Sequence, residues 1–268
     1  MKVLILSDFS PVAINATIYA LDLLHDQQVD FTLLNISVPD SDAEEEEQDK
    51  QRRTTQAKLQ ERVQKLRERS RGRDHKITGH YSEDNLVNAA RRFMEKKGAD
   101  LIVMGAVGEE SRHDTILGNH TFEIMSKIKC NILAVPDNQY FQGLKNLLMP
   151  MDSSASFNKK SLQFLNSRNI FKETNLSVWE ITDHGITLEE ERSRTEEIFA
   201  DLDQVEVDFS TIDKTAIRQK IIWNDVQRHF QLIVLMGKNI RICSDLMDNR
   251  HGLFTSVPNR LPILVLHD

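Results

Sequence analysis

Three glycines at a fixed interval, Gly105-x2-Gly108-x9-Gly118, lie between an apolar run and a helical one in this 268-residue chain. Glycine lets the backbone turn tightly and approach a ligand with no Cβ in the way. Gly118 opens a helix, Gly118-Asn119-His120-Thr121 and on to about Lys129, and the bare N–H groups of a helix start can cradle a phosphate. Asn119 and Thr121 could add side-chain donors. His120 could touch a phosphate, although a lone histidine at a helix start is more often a solvated or capping side chain. Asp8 and Ser10 end another apolar run, and Ile36 ends a third; ligands of open α/β sheets bind at such strand ends. Binding of a nucleotide phosphate is the chemistry that these residues suit.

The elements that must position them are legible from pattern. Residues 3–8 are apolar without alternation, as a parallel strand buried on both faces should be. Ser10 and Pro11 are an N-cap and a first-turn proline for a helix whose apolar positions include Ala13, Ala16, Leu21 and Leu24. A strand is expected over 31–36. A long exposed helix follows over 41–71, with Leu59, Val63 and Leu66 as its apolar stripe, and then a strand over 75–81. Ser82 to Lys97 read as a helix stopped by Gly98, with a strand over 101–105 directly after. The acidic Asp40–Asp49 and basic Lys50–Arg73 stretches are a solvated helix whose charges complement its macrodipole; a partner-binding arm is the alternative.

The chain then repeats itself. Val3-Leu4-Ile5-Leu6-Ser7-Asp8 is echoed by Leu147-Leu148-Met149-Pro150-Met151-Asp152. Leu101–Gly105 is echoed by Ile233–Gly237, and Ile132–Val135 by Ile263–Leu266, in the same order. Strands of the second copy are expected near 146–151, 176–181, 205–210, 232–236 and 262–266, with helices near 157–168, 189–201 and 214–229. Alternating strands and helices with short connections imply two tandem α/β domains, doubly wound, each a parallel sheet flanked by helices. The domains are placed at 1–140 and 144–268.

Bulk properties exclude several classes. Hydrophobic residues at 40% and charged residues at 28% describe a chain that can bury a core, and a net charge of -7 offers no broad attraction to nucleic acid. Cys130 and Cys243 lack the spacing of a zinc site and read as buried thiols. No apolar stretch reaches the roughly 20 residues of a membrane span. The apolar start is also too short for a secretory signal, so a cytoplasmic location is expected.

The glycine spacing, with a Ser or Thr normally following the third glycine, resembles the signature of the universal stress protein family. Asp8 and Ser10 resemble its Asp-x-Ser after the first strand, and Asp100–Gly105 its fourth strand. The resemblance covers the chain as a tandem, strongly in the first half and weakly in the second. It implies a five-stranded parallel sheet in each domain and binding of ATP or AMP, with or without Mg²⁺. Carried over, Asp8 would lie near adenine and ribose, the backbone at Ile36 would contact adenine, and Gly105, Gly108 and Gly118 would wrap ribose and phosphates. Asn119 departs from the family's Ser or Thr. In the second copy Gly237 is kept, but Ile240 replaces the middle glycine, Asn249 or Arg250 stands near the third, and Pro258 lies in the following helix, so no comparable site is expected.

No nucleophile stands with a matched base and orienter, and no G-x-x-x-x-G-K-[ST] occurs, so no catalytic residue and no metal site is assigned. At most weak ATP hydrolysis is expected. Two functions remain: a nucleotide-binding regulatory protein of stress response, or a structural module of the same fold that binds itself or a regulatory protein without nucleotide.

Overall fold

The apolar runs become strands of one sheet. The computed structural model describes residues 1–107, 117–152, 159–182, 189–213, 220–237 and 261–267. In the first half β1 (Lys2–Leu6), β2 (Val29–Ile36), β3 (His75–Ser82), β4 (Leu101–Gly105) and β5 (Asn131–Val135) alternate with α1 (Pro11–Leu23), α2 (Glu45–Arg69), α3 (Leu86–Lys97) and α4 (Asn119–Lys127). In the second half β6 (Asn146–Asp152), β7 (Thr174–Thr182), β8 (Val205–Asp213), β9 (Leu232–Met236) and β10 (Ile263–Leu266) are accompanied by α5 (Lys159–Asn166), α6 (Glu189–Phe199) and α7 (Lys220–His229). Every sequence-expected strand is present, two with the expected ends and the others with ends shifted by at most three residues.

The strand order is β3-β2-β1-β4-β5-β10-β9-β6-β7-β8. Each half is therefore a parallel five-stranded unit of the same winding. The halves join through one antiparallel ladder, β5 against β10, which makes a single ten-stranded sheet. Nothing in the local patterns announces that join. Two buried apolar layers cover the faces of the sheet, and each contains residues of both halves: Leu133 with Leu147 and Met149 in one, Ile132 with Leu148 and Ile263 in the other.

The local devices are those of the residues present. Ser10 caps α1, its Oγ accepting from Ala13 N at 3.3 Å, with Pro11 in the first turn. Helix α2 buries only Leu59, Val63 and Leu66, starts with Glu45, Glu46 and Glu47, and ends with Arg67 and Arg69, which suits its macrodipole. The Arg67 guanidinium donates twice to Ile77 O, at 2.9 and 2.7 Å, and so ties α2 to the edge strand β3. Gly98 ends α3 at φ +67°, a backbone that favours glycine. Helix α3 starts at Leu86 and not at Ser82: Ser82 is held in the ladder opposite Ile36, and Asn85 is the cap, accepting from Asn88 N at 3.0 Å. Among the described residues no helix is long and apolar enough to cross a membrane.

Candidate functional site

Strands β2, β1 and β4 are neighbours, with Leu6 opposite Leu34 and Ile5 opposite Val103. That register puts Asp8, Ile36 and Gly105 at the same carboxyl-terminal end of the sheet. The chain leaving β1 is held tightly. Ser7 N donates to Leu34 O at 3.0 Å, and Asn35 Nδ2 donates to Ser7 O at 2.8 Å. Phe9 N donates to Ser7 Oγ at 3.3 Å, and Ser10 N to Asp8 Oδ1 at 2.9 Å. Phe9 itself takes φ +66°, rare for an aromatic residue, and the fold holds it there: its ring packs on the core while Lys58 Nζ lies 5.9 Å from the ring centroid.

Across from this turn, Ala106 N donates to Val135 O and Gly118 N donates to Ala106 O, both at 2.8 Å. These bonds pin the start of α4 against the end of β4. Gly118 is the N-cap of α4, in extended backbone. The first-turn N–H groups of Asn119, His120 and Thr121 have no hydrogen-bond partner among the described residues, which leaves the positive end of the helix dipole at the strand ends.

The side chains expected at the site divide clearly. Asp8 is exposed, with Oδ1 engaged in the turn, and Ile36 is half-buried. Asn119 and His120 are exposed on the first turn of α4. Thr121, read as a donor to a ligand, is buried, and its hydroxyl donates to Gly105 O at 2.9 Å, so it positions the helix instead. The Ser10 hydroxyl is likewise buried and spent as a cap. Gly105 was expected to be glycine for close ligand approach, but a Cβ there would collide with the Val12 side chain of α1, which is reason enough for glycine. Gly108 lies outside the described residues.

Sequence reasoning passed over Asn35. It is 2% exposed near the end of β2, and while its amide holds the Ser7 carbonyl, its Oδ1 is buried without a partner among the described residues. The lone polar residue in Leu33-Leu34-Asn35-Ile36 was the available signal. The equivalent of Asn35 in the second half is Glu180, which is also buried, with Oε2 unpartnered.

The ladders also correct the repeat. Leu4 pairs with Ile102 as Leu148 pairs with Ile233, and Ile102 pairs with Ile132 as Ile233 pairs with Ile263. The first and third echoes therefore hold, but the second slips by one residue. Met236, buried, is the counterpart of Gly105, and Gly237 that of Ala106. A Cβ on Gly237 would run into the His267 imidazole, a packing reason for that glycine. Ile240, Asn249, Arg250 and Pro258 lie outside the described residues.

Residues 1–136 match the sequence profile of the Universal stress protein family. Among solved structures, the chain is similar to a universal stress protein from Archaeoglobus fulgidus DSM 4304, at 15% identity and TM-score 0.67, over 100% of this chain and 97% of that one. It is similar to a putative universal stress protein from Pseudomonas aeruginosa UCBPP-PA14, at 15% identity and TM-score 0.58, over 99% and 92% of the two chains. The cytoplasmic domain of a prokaryotic cation chloride cotransporter also has this fold, at 11% identity and TM-score 0.53, over 100% and 95%. Identities this low speak to the fold alone. No curated protein sequence matches the chain.

Proposed function

The chain belongs to the universal stress protein family, and from that premise we propose that its first domain, residues 1–140, binds an adenine nucleotide, ATP or AMP, at the strand-end site. The role is regulatory, in the cytoplasm, with at most slow hydrolysis. One observation carries the reading: the N–H groups of Asn119, His120 and Thr121, without a partner among the described residues, open at the same end of the sheet as Asp8, an arrangement suited to a phosphate. The second domain, 144–268, with Met236 at the first glycine position, acts as a packing partner that binds no nucleotide.

A second reading has its own support. The Thr121 hydroxyl donates to Gly105 O and the Ser10 hydroxyl is buried at the cap of α1, which leaves the site poorer in accessible donors than its sequence suggested. On that reading the chain is a protein-interaction module of the same fold.

Calorimetric titration of the full chain, stripped of carried-over nucleotide, with ATP and AMP, each with and without Mg²⁺, separates the two. Nucleotide binding predicts one site per chain at about micromolar affinity, abolished by Gly108→Val with no change in melting temperature. Absence of heat and of thermal shift favours the interaction module, and two sites per chain refute the empty second domain.

A further inference from the structure

Helix α1, packed on β4 and β5, and helix α2, packed on β3 and β2, flank a cavity of about 130 Å³ that Ser7 and Leu33 also line. We infer that this cavity binds a small monocarboxylate with an apolar body the size of one aromatic ring. The wall is apolar: Ile14 and Ile18 from α1, Leu33 from β2 and Leu66 from α2. Two hydroxyls among the lining residues are already engaged. The Thr17 hydroxyl donates to Ala13 O at 2.7 Å, and Ser7 Oγ accepts from Phe9 N. An apolar cavity of roughly 150 Å³ takes up a benzene ring, so the space matches one ring or a short alkyl chain.

The cations of α2 supply the head-group preference. Three of them line the cavity, Arg62, Lys65 and Arg69. Lys65 is paired with Glu61 at 2.5 Å and Arg69 with Asp22 at 2.8 Å. Arg62 is half-buried and makes no hydrogen bond or ion pair among the described residues; Glu61, whose charge it feels, is held by Lys65. A partly desolvated guanidinium beside apolar space lacks an acceptor, and a planar carboxylate offers two oxygens in the geometry of its fork. The rest of such a ligand would leave water for the apolar wall. The inference does not rest on the nucleotide reading, since Asp8, Gly118 and the first turn of α4 are not part of the cavity.

The test uses the full chain without nucleotide, with benzoate as the probe and benzyl alcohol as its neutral counterpart, followed by amide chemical shifts and ligand-observed NMR. Benzoate is expected to bind saturably in roughly the millimolar range or tighter, a level set by its few heavy atoms. Shifts should centre on Ile14, Ile18 and Leu66. Benzyl alcohol should bind about tenfold more weakly, because it cannot accept charge-assisted bonds from Arg62. Arg62→Gln, which keeps a polar side chain but removes the charge, should remove that preference. Ile18→Trp, which fills the space, should remove binding of both. Equal affinity of acid and alcohol, undiminished benzoate binding by Arg62→Gln, shifts centred on Asn119–Thr121, or no saturation at about 10 mM each overturn the assignment.

Discussion

Leu133 of β5 and Leu264 of β10 are paired directly across the antiparallel ladder that joins the halves. The flanking pairs are Ile132 with Val265 and Ala134 with Ile263. By the repeat, Ile132 corresponds to Ile263 and Ala134 to Val265, so the ladder maps onto itself when the halves are exchanged. A pseudo-twofold axis therefore passes between the two leucines, as in an isologous dimer made within one chain.

Both leucines are essentially buried, at 1% and 2% exposure, in a core layer shared by the halves. Leu133→Ala and Leu264→Ala should each cost about 2–5 kcal/mol, read by urea unfolding. Calorimetry should keep a single transition in the parent, because the shared core couples the halves. Two separated transitions in the unmutated chain would contradict that coupling.

Gly105 and Val12 give a sharper test. Gly105→Ala should destabilise the chain by about 1–3 kcal/mol through overpacking against the Val12 side chain. Adding Val12→Ala should recover most of the loss. A double mutant no more stable than the single one would mean that glycine is required at 105 for some other reason.

Asp22 should make stability depend on pH in a defined direction. Burial alone would raise its carboxyl, but hydrogen bonds and charge from Arg69 and Arg73 outweigh burial and hold it below the usual carboxylate range. A depressed pKa in the folded state contributes stability above the unfolded value of about 3.9, and the contribution is lost as pH falls through the folded value. Asp22→Asn should therefore lower stability at neutral pH, by about 1 kcal/mol or less for so solvent-accessible a cluster. The difference from the parent should disappear in strongly acid melts; a constant difference across pH would exclude this ion pair as its source.

Cys130 should be chemically silent. Burial pushes its thiol up to about 12, with the Asp100 charge adding to the effect. In a Cys243→Ser background, iodoacetamide at mildly alkaline pH should leave the native protein unlabelled and label it fully in denaturant, because only the thiolate reacts. Rapid native labelling would show that the segment around β5 opens readily.

By itself the sequence determined the elements and their order. Continuous apolar runs could only be strands buried on both faces. Ser10-Pro11 started a helix and Gly98 stopped one because capping is a matter of a few adjacent residues. The stripe Leu59, Val63 and Leu66 told which face of α2 is covered. The glycine spacing was enough to suggest the family. What the tertiary structure decided are relations between residues far apart in the chain. The join of β5 to β10 depends on two edges meeting, and no local periodicity encodes it. The second echo slipped because Leu232–Met236 is uniformly apolar, so letters align equally well in two registers and only the hydrogen-bonded ladder chooses. The Thr121 hydroxyl and Gly105 looked like ligand groups in sequence; packing gave the first to a strand carbonyl and set the second against Val12. A side chain's type says what it can bond to, while its neighbours in space determine whether that capacity is still available.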